Sequence, residues 1–184
     1  MKEDITTINF KYNNFIRKLN FKIKSLENCY SDYIFLCVGT NKIIGDSFGP
    51  LVGENLLKLK IQKINNIHVL GNKKELVTYV NIEEKLNIIK TKYLNPCIIA
   101  IDSALGKTEN IGKLVVLNKS MKLGEGIGRK EKNIGNISIK AIVNEKREIE
   151  KQNYNMLEST PEKLIRELAV ITSYGIRDIL QRNV

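Results

Sequence analysis

The stretch Tyr33-Ile-Phe-Leu-Cys-Val-Gly-Thr-Asn-Lys-Ile-Ile-Gly-Asp-Ser-Phe-Gly-Pro50 (YIFLCVGTNKIIGDSFGP) joins an unbroken apolar run to a glycine-rich loop and a proline. A run of strand length without polar alternation, ended by Gly39, is the pattern of a strand covered on both faces, as in parallel sheets. Pro50 suits the first turn of a helix, and Leu51, Val52, Leu56, Leu57 and Leu59 then mark a short amphipathic helix to about Lys60. The unit is strand, loop, helix.

The unit recurs. Asn66-Ile-His-Val-Leu70 reads as a second strand ended by Gly71, and residues 75–93 read as a helix with Leu76, Tyr79, Val80, Leu86, Ile88 and Ile89 apolar. Asn95-Pro96 stops it, and Cys97-Ile-Ile-Ala-Ile101 is a third buried strand that ends at Asp102. Residues 112–117 and 136–143 are two further strands, with the glycine-rich segment 121–135 between them expected to be a loop. Upstream, Phe10, Phe15, Leu19, Ile23 and Leu26 line one face of a helix over 8–27, whose other face carries Lys11, Arg17, Lys18, Lys22 and Lys24. The tail from Glu145 is expected to be helical and interrupted at Ser159-Thr160-Pro161, with Thr160 as N-cap and Pro161 as first helical residue. Parallel neighbours require crossovers, and the helices supply them. The expectation is an α/β fold: a three-layer α/β/α sandwich with a mostly parallel sheet of about five strands. One domain is expected over 1–184, with residues 1–30 packing on the core as an N-terminal helix and 145–184 forming C-terminal helices.

With 184 residues, the chain can bury roughly two thirds of its unfolded surface. No apolar run approaches the roughly 20 residues that span a bilayer, so no membrane partner is expected. The N-terminus MKEDITTINFKYNNF has early acids and no apolar h-region, which reads as a protein kept in the cytoplasm. Cys29, Cys37 and Cys97 show no CxxC spacing, which argues against a zinc knuckle. Thirty bases against twenty acids give a net charge of +10. Such a surplus fits nucleic acid, an acidic partner or solubility, but no aromatic interleaving or recognition motif accompanies it, which argues against nucleic acid. A homo-oligomer is left open.

The loop after the first strand resembles a phosphate cradle only superficially. A P-loop has four residues between its glycines and then Lys-Ser/Thr, whereas Gly39 and Gly45 have five between them and Asp46 follows. A carboxylate there repels phosphate. The Gly124-x-Gly126-x-Gly128 run opens no helix and is a weak dinucleotide signal.

Ligand sites in open parallel sheets lie beyond the C-terminal strand ends, where successive crossovers diverge. Asp46 follows strand one and Asp102 ends strand three, so a 2-1-3 strand order would bring the two carboxylates to one edge. Close together and partly desolvated, one would hold a proton while the other stays charged, a pair able to activate water against an amide. Asp46 on its own reads more readily as a turn acid satisfying amides near Ser47 to Pro50. Asp102, delivered by an apolar strand, calls for a partner or a task. Ser103 has neither a nearby histidine nor a GxSxG elbow, so a serine nucleophile is disfavoured. His68, the single histidine, reads as a core residue, with a metal set of Asp46, Asp102 and His68 as the alternative.

The segments 35–40 and 45–53, 67–71, 95–106, 122–128 and 135–139 together resemble the spore germination protease superfamily, and within it the small YyaC-type sporulation proteins. The resemblance implies a phosphorylase/hydrolase-like fold shared with nickel-hydrogenase maturation proteases. It implies an atypical aspartic endopeptidase activity on small acid-soluble, DNA-binding spore proteins, in the cytoplasm of the sporulating cell or forespore. It places the two functional aspartates on Asp46 and Asp102, with no cofactor. Gly45, Ser47, Ser103, Lys107, Gly124 and Gly126 are then expected to meet substrate, Lys107 and the glycine-rich loop amides as candidate oxyanion donors. Two alternatives are a non-catalytic, partner-binding sporulation protein and a metal-dependent, maturation-type protease.

Overall fold

The computed structural model describes residues 5–24, 29–124 and 130–182. Three strands follow the expected β-helix-β rhythm: β1 (Asp32–Cys37), then α2 (Phe48–Lys58) to β2 (Ile67–Leu70), then α3 (Ile82–Lys92) to β3 (Pro96–Gly106). Ahead of them stands α1 (Ile5–Lys24). After them come β4 (Leu114–Leu117), a small ribbon of β5 (Met121–Leu123) and β6 (Lys132–Ile134), β7 (Ile137–Glu145), α4 (Glu150–Glu158) and α5 (Glu162–Arg182).

The main sheet has five strands in the order β2-β1-β3-β7-β4. The first three pairings are parallel, and only edge strand β4 runs antiparallel to β7. The 2-1-3 order and the three-layer α/β/α architecture are therefore as the sequence predicts.

Side chains alternate along each strand and feed two cores. Phe35, Cys37, Ile99, Ile101, Ile137 and Ile139 face α1, α2 and α5, where Leu19, Phe48, Val52, Leu56, Ile165 and Ile176 are buried. Ile34, Leu36, Val38, Ile98 and Ala100 face the other layer, closed by Ile82 and Ile89 of α3 and by Met121, Leu123 and Ile134 of the ribbon. Helix α2 lies unusually close to β1 because two of its residues are glycine. A Cβ on Gly49 would strike the Val38 carbonyl, and one on Gly53 would strike the Gly71 carbonyl.

Four local expectations are corrected. The helix expected over 75–93 starts only at Ile82, because Val77 bridges to Val38 and Asn81 Oδ1 accepts the Thr78 amide at 2.7 Å, holding 76–81 as a turn. The third strand runs past Asp102 to Gly106, since β7 continues to pair with it after β1 has ended. The 121–135 segment is a β-ribbon at both its described ends. Thr160 does not cap α5: its hydroxyl donates backwards to the Met156 carbonyl at 2.9 Å.

Candidate functional site

The pairing of β1 with β3 stops at Cys37 and Ile101, and Val38 closes it by donating its amide to the Ile101 carbonyl at 2.8 Å. Gly39 then turns away with φ of +141°, a conformation open to glycine, and donates its amide to Val77. A Cβ there would collide with the Asp46 carbonyl, so the glycine is what lets the loop fold back on the strand end. The return is closed by the Thr40 amide donating to Asp46 and the Asp46 amide donating to Ile43, both at 3.1 Å. Asp46 thus sits in a short 3-10 turn, Gly45–Ser47, that leads directly into α2.

Asp102 is the first β3 residue beyond the end of β1, and it is half-buried. Burial pushes its carboxyl well above the usual carboxylate range, and the charge of Asp46 pushes it further. The Ser103 amide, which donates to Asp102 Oδ1 at 2.8 Å, and the Lys140 ammonium pull the other way without cancelling the rise. The two acids therefore feel each other beyond the end of β1, where the charge of Asp46 helps keep a proton on Asp102.

Lys140 is a site residue that the sequence reading missed. It pairs across the ladder with Asp102 on β7, and neighbouring residues at one level of a sheet share a face. The signal was present: a lysine interrupts the otherwise apolar Ile139-Lys140-Ala141-Ile142, which buries its neighbours on both sides.

The residues expected around the pair separate. Ser47 stands beside Asp46 and donates its hydroxyl to the Ile44 carbonyl at 2.7 Å. Ser103 is adjacent to Asp102, but strand alternation sends its side chain to the opposite face, level with buried Ala141. Gly45 is buried rather than open to a ligand, because a Cβ there would lie 2.7 Å from the Leu157 carbonyl oxygen and 2.9 Å from Thr160 Oγ1. Its role is to seat the Asp46 turn on the corner between α4 and α5. Lys107 follows the far end of β3, about 16 Å along an extended chain from Asp102, beyond the reach of its side chain. It lines a different cleft of about 550 Å³ with Glu145, Lys146 and Arg147. Gly124, with φ of +89°, ends β5. Gly126 lies outside the described residues.

His68 is not at this site. Its Nε2 lies 2.8 Å from Oδ1 of Asp32, the first residue of β1, at the end of the sheet opposite Asp46. Its ring packs on Tyr93 with centroids 4.4 Å apart. That hydrogen bond is the largest influence holding the Asp32 carboxyl below its ordinary range. No group of three His, Cys, Asp or Glu side chains among the described residues could hold a metal ion. The set Asp46, Asp102 and His68 is therefore corrected to a pair without the histidine. Cys37 and Cys97 are buried core residues whose thiols burial raises, Cys97 to about 12, and they are inert.

The fold has solved relatives. The crystal structure of a [NiFe] hydrogenase maturation protease, HycI from Thermococcus kodakarensis KOD1, matches with a TM-score of 0.55 over 86% of this chain and 98% of that one, at 17% identity. At that identity the likeness is one of fold. The [NiFe] hydrogenase maturation protease HybD from Thermococcus kodakarensis matches at 0.42 over 80% and 99%, with 11% identity, and has no bearing on the site. In sequence, the chain is 32% identical over 143 residues to the "Uncharacterized protein YyaC" of Bacillus subtilis (strain 168), which spans 78% of this chain and 67% of that protein. The profile of the family described as "Protein of unknown function (DUF1256)" matches residues 6–175, and the chain belongs to that family.

Proposed function

We propose that the chain is a peptidase of the sporulating cell, in which Asp46 and Asp102 hydrolyse peptide bonds of spore proteins, the small acid-soluble class among them. The observation that carries the reading is the raised carboxyl of Asp102, pushed up by burial and by the charge of Asp46. Support for the substrate class comes from the motifs that resemble the spore germination protease. Support for the reaction class comes from the fold shared with a maturation protease.

In this reading Asp46, as carboxylate, takes a proton from water while the water oxygen bonds to the scissile carbonyl carbon. Asp102, protonated, donates a hydrogen bond to the carbonyl oxygen as negative charge develops there. The proton held by Asp46 then passes to the amine nitrogen as the C–N bond breaks, which restores the pair. Lys140, on the same face, adds positive charge at the same edge. A metal-assisted version would have to do without the histidine, which is engaged with Asp32 at the other end of β1.

The test is cleavage of a purified small acid-soluble spore protein, followed by mass spectrometry of the fragments. Asp46→Asn and Asp102→Asn should each slow cleavage by roughly 10²–10⁴-fold with unchanged far-UV circular dichroism. Cleavage at the wild-type rate by either variant would remove the pair from the chemistry. Binding of that protein with no fragments from the wild type would instead support the partner-binding alternative.

A further inference from the structure

Edge strand β4 is paired on one side only, with β7, and no other described strand reaches its outer edge. Along that edge, between β4 and α1, runs a groove of about 770 Å³. All four residues of β4 line it. Because strand side chains alternate between faces, a groove that meets all four follows the strand's edge, where backbone donors and acceptors are presented. On the helix side the groove exposes Phe21, 69% accessible, which is unusual for an aromatic ring beside an apolar strand. Its charged residues are Arg17, Lys18, Lys22 and Lys113, and no acid lines it among the described residues. Lys113 donates to Asn110 Oδ1, a neutral partner that leaves its positive charge in place, and Lys22 lies 5.6 Å from the Phe21 ring.

We propose that this groove docks an extended acidic segment of another protein, which adds to the sheet as a sixth strand beside β4. Main-chain pairing would supply affinity. Arg17, Lys18 and Lys113 would select acidic side chains on one face of the incoming strand, and Phe21 with the aliphatic surface would receive the apolar side chains on the other. A second copy of this chain is a poor occupant, since the net charge is +10 and two such grooves would set bases against bases. The concave, strand-edged shape favours a peptide over a flat anionic bilayer. The inference stands apart from the aspartate pair.

The test is fluorescence anisotropy with a fluorescein-labelled peptide of about eight residues alternating glutamate with valine, against its counterpart with lysine for glutamate. The acidic peptide should bind saturably, at least tenfold more tightly than the basic one, and should weaken with salt. Exposed-residue reversal in Arg17→Glu/Lys18→Glu should cost at least tenfold, while Asp102→Asn keeps the wild-type affinity. In the bound state, backbone amide resonances of 113–117 should shift. No saturable binding, equal binding of both peptides, or shifts confined to other strands would overturn the proposal. Sedimentation with vesicles of anionic phospholipid, in place of peptide binding, would overturn it in favour of a membrane surface.

Discussion

Asp102 of β3 stands level with Lys140 of β7, one residue past the last pairing of β3 with β1. The carboxyl is thus placed between two influences: an acid, Asp46, arriving from the loop after β1, and an ammonium on the strand to its other side. Burial and the acid win, and the carboxyl is raised. Removing the cation with Lys140→Met should therefore raise it further, and an upward move of the Asp102 carboxyl ¹³C titration is the expected result. A downward move would mean that the lysine does not act on Asp102 as its position implies.

The same rise makes a statement about stability. A carboxyl whose folded value lies above its unfolded value of 3.8 binds more protons in the folded state between those two values, so stability falls as pH climbs through that window. Above the folded value the full penalty applies. Asp102→Asn, which keeps an oxygen for the Ser103 amide, should lose this pH dependence and should be more resistant to urea than the wild type at neutral pH. Urea transitions at pH 4 and pH 7 check both parts; an asparagine variant weaker than wild type at neutral pH contradicts the assignment.

At the opposite end of the sheet the sign reverses. The His68 hydrogen bond to Asp32, with help from Ser31, holds that carboxyl low, so it contributes stability above 3.8 that is lost as pH falls through the folded value. His68→Ala should destabilise the protein at neutral pH and should flatten its acid-induced loss of stability below pH 4. An unchanged acid limb in urea titrations would show that the pair has no such role.

Close approach of α2 to β1 depends on glycine. Gly49→Ala and Gly53→Ala each push a methyl group into a backbone carbonyl, of Val38 and Gly71 respectively, and neither oxygen can move without shifting a strand end. Each should cost about 2–3 kcal/mol or more, measured as a fall in urea midpoint with unchanged slope. A neutral result would mean the helix can slide outward at no cost.

Much of this architecture is legible in the sequence for a physical reason. Strands covered on both faces must be apolar throughout, so Ile34 to Val38 and Cys97 to Ile101 announce themselves, and glycines mark where β1 and β2 stop. Asp46 and Asp102 stand out because carboxylates are costly next to such runs. What local pattern does not carry is what neighbouring strands supply. Asp102 reads as a strand terminus, because its own segment turns polar there, yet β7 carries the ladder on to Gly106. Lys140 becomes a site residue only through the register between β3 and β7, which no local periodicity encodes. His68 looks available until Asp32, thirty-six positions away, takes its Nε2. The helix expected from Glu75 has the right apolar spacing, but the Val77 bridge to Val38 and the Asn81 side chain hold its first turn open.

The most direct test is the Asp102 titration in the presence and absence of its neighbour, read by carboxyl ¹³C chemical shift in the wild type and in Asp46→Asn. If the two acids share one solvent-reachable edge, Asp102 should titrate above the ordinary carboxylate range in the wild type and at lower pH once Asp46 is neutral. An Asp102 titration that does not move on Asp46→Asn would show that the carboxyls do not sense one another, and the proposed division into base and acid would fall with it.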